Sequence, residues 1–179
     1  MSNNIVVLSG SPRKNGTTDR LTAAFIAGAE ETGKNVTLFR VAALRIGGCL
    51  GCNHCFVEQG VCVQKDDMIP ILDALRQADA VVLAAPVYYF GVSAQLKLAI
   101  DRFFALLKEG MPVKRAALLQ TCGNPSGVPA EPGILMFRQM SEHLKWEEAG
   151  VIVAGGLHAP EDIEGRKELD EAKALGRNI

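Results

Sequence analysis

"IVVLSGSPRKNGTTDRL", residues 5–21, decides how the rest of the chain is read. Ile5-Val6-Val7-Leu8 is a short, unbroken apolar run, which suits a strand buried on both faces. Ser9-Gly10 ends it, and Leu21, Phe25 and Ala29 then recur at helical spacing until Gly33 stops the helix. Between strand and helix, Ser9, Ser11, Thr17 and Thr18 offer hydroxyls, while Gly10 and Gly16 let backbone approach a ligand. The helix that follows presents unpaired N–H groups and a positive dipole end. With Arg13 and Lys14 alongside, the segment reads as a phosphate site; the plainer alternative is a polar turn with an N-cap threonine. It is neither a Walker A loop nor the G-x-G-x-x-G fingerprint.

The same alternation runs on through the chain. Strands are expected at Val36–Phe39, Ala80–Ala85, Ala116–Gln120 and Val151–Ala154. A helix carrying Met68, Ile71, Leu72 and Leu75 should be capped by Asp66 or Asp67, with Pro70 tolerable in its first turn. Ser93 opens a helix with Leu96, Ile100, Phe103 and Leu107; others are expected over Ile134–Trp146 and Glu161–Leu175. Five strands alternating with five helices give an α/β fold, a parallel sheet with helices on both faces. No repeat or linker is visible, so residues 1–179 are expected to form one domain with a cysteine-rich insertion at about 46–66.

In such a sheet, ligands bind beyond the carboxyl ends of the strands. Two further loops there are chemically loaded. "APVYYFGVSAQLKLAIDRF" places Tyr88, Tyr89 and Phe90 just past a buried strand, either as a local apolar plug or as a wall for a flat ring whose polar edge meets main chain from Pro86 to Gly91. "QTCGNPSG" could merely turn the chain, or could set backbone N–H groups beside the same ring.

Composition excludes other classes. A formal net charge of −1 gives no reason to expect nucleic acid or an anionic membrane as partner. No apolar run approaches a membrane span, and Met1-Ser2-Asn3-Asn4 lacks the basic segment of a signal peptide. A cytoplasmic protein is expected, where clustered cysteines bind metal or do redox chemistry more often than they form disulfides. Four of the five cysteines, Cys49, Cys52, Cys55 and Cys62, fall in "GCLGCNHCFVEQGVC" at C-x2-C-x2-C-x6-C spacing. Structural zinc usually takes two separated C-x2-C knuckles; three cysteines at successive x2 spacing wrap a face of a cubane, with Cys62 as fourth ligand. A [4Fe–4S] cluster, a zinc knuckle and an empty loop remain open. His54, His143 and His158 have no recognisable partner, and Asp101 and Arg102 are read as structural.

Taken together, "SGSPRKNGTT", "PVYYFGVSAQLKLAIDRF" and the cysteine segment closing on "DDM" resemble the NADPH-dependent FMN reductase superfamily, and within it the iron–sulfur flavoproteins, over roughly the first 125 residues. The resemblance implies a flavodoxin-like three-layer sandwich, a five-stranded parallel sheet of order 2-1-3-4-5, with FMN at the switch point. It implies Ser9, Ser11, Arg13, Asn15, Thr17 and Thr18 as the phosphate loop. Pro86, Val87, Tyr88, Tyr89, Phe90 and Gly91 fall at the isoalloxazine ring, and Thr121, Cys122 and Gly123 in a third flavin loop. Nothing is carried over beyond Gly127, and no catalytic side chain is assigned. Two functions follow from the likeness. In one, an FMN enzyme takes hydride from NADPH or NADH and reduces a small acceptor such as a quinone or free flavin. In the other, an electron-transfer protein relays electrons from a ferredoxin-like donor through a cluster to FMN. A homodimer or homotetramer is implied.

Overall fold

The computed structural model describes residues 3–179; the reading of the extreme N-terminus rests partly on Met1 and Ser2, which lie outside the described residues. Strands β1 (Asn4–Ser9), β2 (Asn35–Arg40), β3 (Ala80–Tyr88), β5 (Arg115–Thr121) and β6 (Glu147–Ala154) form a parallel sheet in the order β2-β1-β3-β5-β6. That is the expected order, with the fourth and fifth parallel strands numbered β5 and β6. The sheet has six strands rather than five, because β4 (Gly91–Val92) folds back antiparallel on the end of β3.

Alternation of side chains along each strand builds two cores. Val6, Leu8, Val81, Leu83, Ala116 and Leu118 face α3 (Met68–Leu75), α4 (Ala94–Asp101) and α5 (Glu131–Leu144). Ile5, Val7, Val82, Ala117 and Leu119 face α1 (Thr17–Glu31) and α6 (Lys167–Asn178). Leu8, Leu83 and Leu118 are in register and fully buried, as a strand covered on both faces requires. The α1–α6 contact is drawn tight by two glycines: a Cβ on Gly28 would collide with the Lys173 carbonyl, and one on Gly176 with the Phe25 carbonyl.

Several helix bounds differ from expectation. The helix opened by Ser93 ends at Asp101 and tightens into a 3-10 turn over Arg102–Leu106, which still buries Phe103 and Leu106. Lys145, in the left-handed region at φ 57°, stops α5 before Trp146, whose ring goes into the core. The last helix begins at Lys167, because Pro160–Ile163 forms a separate 3-10 turn and Gly165 (φ 69°) breaks the chain's direction. The cysteine segment contains one unexpected turn, α2 (His54–Val57). No described helix is long and apolar enough to cross a membrane.

Candidate functional site

The loop after β1 is organised from its own backbone. Gly10 N–H donates to the Ala84 carbonyl at 2.8 Å, and the Ser93 hydroxyl donates to the Gly10 carbonyl at 2.7 Å. A Cβ on Gly10 would lie 2.5 Å from Ser93 Oγ and 2.6 Å from Leu96 Cβ. The start of α4 therefore by itself requires glycine at position 10. Asn15 sits at φ 59°, its N–H held by the Asp19 carboxylate at 2.8 Å. The same carboxylate pairs with Arg40 at 2.5 Å. The N-cap of α1 is Gly16, and no side chain caps the helix. The first intrahelical bond runs from Arg20 N–H to the Gly16 carbonyl, so the N–H groups of Thr17, Thr18 and Asp19 have no partner among the described residues, at the positive end of a four-turn helix. The capped polar turn is thus replaced by an uncapped one.

Beside it, β3 and β4 make a hairpin in which Val87 pairs with Val92 and Tyr88 with Gly91. Tyr89 (φ 48°) and Phe90 (φ 68°) are the two central residues of its turn. Two positive φ angles are ordinarily the territory of Asn-Gly, so bulky aromatics there store strain. The turn points both rings outward: Tyr89 is fully exposed and Phe90 61% exposed. Pro86, Val87 and Tyr88 remain at the edge of the sheet.

These loops enclose a cavity of about 270 Å³ at the carboxyl edge. Its walls include Ser11, Arg13, Thr17 and Thr18 from the first loop, Pro86, Val87 and Tyr88 from the second, and Thr121, Cys122 and Gly123 from the third. The hydroxyls of Thr18 and Thr121 meet at 2.7 Å and tie the first loop to the third. Burial pushes the Cys122 thiol up, and its sulfur donates to the Asn124 carbonyl. Of the expected flavin positions, Ser9, Asn15, Tyr89, Phe90 and Gly91 do not line the cavity. Ser9 is buried, its hydroxyl without a partner among the described residues. Leu157, His158, Ala159 and Pro160, after β6, line it although no motif pointed to them. The signal that could have found them is topological: every loop leaving the same edge of a parallel sheet is a candidate wall. Uncapped N–H groups, converging hydroxyls, one arginine and an apolar side built from Val87 and Tyr88 suit a ligand with a phosphate at one end and a ring at the other.

The cysteine segment lies on the α3–α4 side of the sheet. Cys49 and Cys52 are exposed, Cys55 is buried against the core and Cys62 is partly packed on it. Burial pushes the Cys55 thiol up, and the nearby thiols of Cys62, Cys49 and Cys52 add to that effect. The donor set therefore matches a four-thiolate site in number and chemistry. Among the described residues, no three His, Cys, Asp or Glu side chains converge closely enough to hold a metal ion. Both ends of the segment are anchored on Arg102, a side chain 1% exposed. Its guanidinium donates to both Asp66 oxygens, at 2.8 and 3.1 Å, and to the Gly47 carbonyl at 2.9 Å. Asp101 pairs with Lys97. Both residues are thus engaged in ion pairs within the fold.

Sheet order, the edge cavity and the uncapped α1 define a flavodoxin-like α/β protein with a candidate ligand site at the switch-point edge. The family model described as NADPH-dependent FMN reductase matches residues 3–131, and the chain belongs to that family. An iron–sulfur flavoprotein of Archaeoglobus fulgidus is 40% identical over 97 residues, 54% of this chain and 44% of the relative. One from Methanosarcina thermophila is 33% identical over 125 residues, 69% of this chain and 65% of the relative. The chain spans about half the length of the first curated relatives it matches. An NAD(P)H:quinone oxidoreductase from Methanothermobacter marburgensis superposes with a TM-score of 0.74 at 17% identity, covering 99% of this chain and 96% of that one, a likeness of fold.

Proposed function

We propose that the protein is an FMN-dependent oxidoreductase of the NAD(P)H-dependent FMN or quinone reductase type. The observation that carries this is the edge cavity, in which an uncapped helix N-terminus and an apolar wall share one volume. Bound FMN supplies hydride and single-electron chemistry, and the protein supplies orientation and electrostatics. In this reading the N–H groups of Thr17 and Thr18, the hydroxyls of Ser11 and Thr17, and Arg13 hold the phosphate. Pro86, Val87 and Tyr88 orient the ring and keep water from one side of it, and the Thr121–Gly123 backbone meets its polar edge. NADPH or NADH would approach the exposed side. Purified protein should take up FMN with quenched flavin fluorescence and oxidise NADPH or NADH when a quinone is added. Failure to bind FMN at micromolar concentration would refute the assignment.

A second reading is supported by the four thiols of one segment, at C-x2-C-x2-C-x6-C spacing. Cys49, Cys52, Cys55 and Cys62 would hold a [4Fe–4S] cluster, which supplies one-electron transfer and would make a ferredoxin-like protein the donor. Protein prepared without oxygen should then contain about four iron and four sulfide per chain, and Cys52→Ala should lose the iron while keeping FMN. Iron-free anaerobic protein would leave the NAD(P)H reductase reading alone.

Residues 1–179 act in this account as one flavodoxin-like domain with the cysteine segment inserted, in the cytoplasm, where its five free thiols stay reduced. Tyr89, Phe90, Val128 and Leu135 are all more than half exposed and lie on adjoining elements, an apolar area suited to a homodimer or homotetramer.

A further inference from the structure

The cavity wall after β6 carries His158, and four features single it out. Its imidazole rests directly on the third loop: a Cβ on Gly123 would lie 3.1 Å from His158 Cε1 and 3.3 Å from Nδ1. That loop is bonded in turn to the first turn of α1 through the Thr18–Thr121 hydroxyl pair. The segment behind His158 is fixed in place. The Asp162 carboxylate accepts from the backbone N–H groups of His158 at 2.7 Å and Ala159 at 2.8 Å. The 3-10 turn at 160–163 packs on α1, and Arg20 of α1 pairs with Glu164. Among the described residues, no protein group hydrogen-bonds the imidazole ring itself.

Charge gives the direction. Arg13 and His158 are the basic side chains among the cavity walls, and among the described residues no aspartate or glutamate lines it. The nearby carboxylates lie outside the cavity walls and have partners of their own: Asp19 the Asn15 N–H and Arg40, Glu164 Arg20, and Asp162, beside His158, the backbone N–H groups of His158 and Ala159. The free N–H groups of α1 open on the same space. A cavity with donors on two sides and no carboxylate is built for an anion.

We infer that His158 is a phosphate-contact residue, its ring N–H donating to the terminal phosphate of the flavin nucleotide from the β6 side of the cavity. This rests on the FMN reading above and extends the phosphate site to a segment that no motif marks.

Titration of apo-protein by flavin fluorescence tests it. His158→Ala should weaken FMN binding about tenfold, the loss of one charge-assisted hydrogen bond. Riboflavin, which lacks the phosphate, should bind variant and parent alike. Unchanged FMN affinity, or an equal loss for riboflavin, would overturn the inference. A parent protein that takes up neither flavin would instead refute the cofactor assignment. A measurement on the unmodified chain guards against a misfolded variant. Inorganic phosphate should shift the His158 imidazole resonances and leave those of His54 and His143 in place. A spectrum in which His158 does not move, or all three move together, also overturns it.

Discussion

Replacing Asp66 by alanine removes the anion that compensates Arg102. The guanidinium is 1% exposed and makes two of its hydrogen bonds to that carboxylate, at 2.8 and 3.1 Å. Asp66 also accepts from the N–H groups of Gly47 at 2.8 Å and Met68 at 3.2 Å. Breaking a buried pair from one side leaves an uncompensated charge and costs about 3–5 kcal/mol. Against a typical total of about 5–15 kcal/mol, that is a large fraction. For a chain of this length it corresponds to a fall in Tm of roughly 6–20 °C. Asp66→Leu with Arg102→Met removes both charges and should recover most of the loss, because apolar replacements of a buried pair are often neutral. The exposed Gly47 N–H can then turn to water. Burial works against the Asp66 carboxylate, but Arg102 and the two N–H groups outweigh it and hold the carboxyl below its ordinary value. The unfolded chain therefore takes up the proton first. The pair's contribution is complete above the unfolded value of about 3.9 and disappears as pH falls through the lower folded value. Calorimetry from pH 7 down to 2 reads both effects, and the double variant should show a weaker acid dependence. A single variant within about 1 kcal/mol of the parent at pH 7 would refute the reasoning, since that is what a surface pair contributes.

Ser11→Ala with Thr17→Ala should lower FMN affinity at least tenfold while the folded chain persists, because each hydroxyl offers the phosphate a charge-assisted bond of about 1.5–3 kcal/mol; unchanged affinity by fluorescence titration would remove these residues from the site. Gly28→Ala should destabilise by about 1–3 kcal/mol in urea titration even though alanine favours helix, since the added methyl meets the Lys173 carbonyl of α6; a stabilised variant would mean the two helices are not in close contact. Sedimentation at micromolar concentration should show a dimer or tetramer, and Tyr89→Ser with Phe90→Ser should shift it toward monomer; an FMN-bound parent that sediments as a monomer would contradict the oligomer.

The parallel strands were legible because a strand buried on both faces must be apolar throughout, and Ile5–Leu8 and Ala80–Ala85 have no competing pattern. Helix ends were less so. Nothing local shows that Arg102 is held by Asp66, thirty-six residues earlier, and the 3-10 turn begins at that arginine. The two-residue strand β4 was illegible for a related reason. Tyr89-Phe90 is a poor sequence for a turn with two positive φ angles, and only the surrounding packing imposes it. The same turn divides the three consecutive aromatics: it leaves Tyr88 at the cavity and puts Tyr89 and Phe90 at the surface.

The first loop was readable because its chemistry is written in consecutive residues: hydroxyls, a glycine at the cap position and a helix after it. The fourth wall is written differently. Leu157-His158-Ala159-Pro160 has no hydroxyl or glycine pattern, and its contribution depends on three long-range events. β6 must pair with β5 so that the chain leaves at the cavity edge. Gly123 must lack a side chain so that the imidazole can seat, and Asp162 must turn its carboxylate onto the loop's own N–H groups. Each is a property of the fold and none is local. Gly123→Ala is therefore a sharper probe of the wall than its small size suggests: the methyl would press on the ring at 3.1 Å and displace it without touching the first loop. FMN affinity should fall in this variant as it does in His158→Ala, and combining the two changes should cost little more than either alone. Fully additive losses would mean that Gly123 acts on the flavin by a route of its own, and that the imidazole is not what it positions.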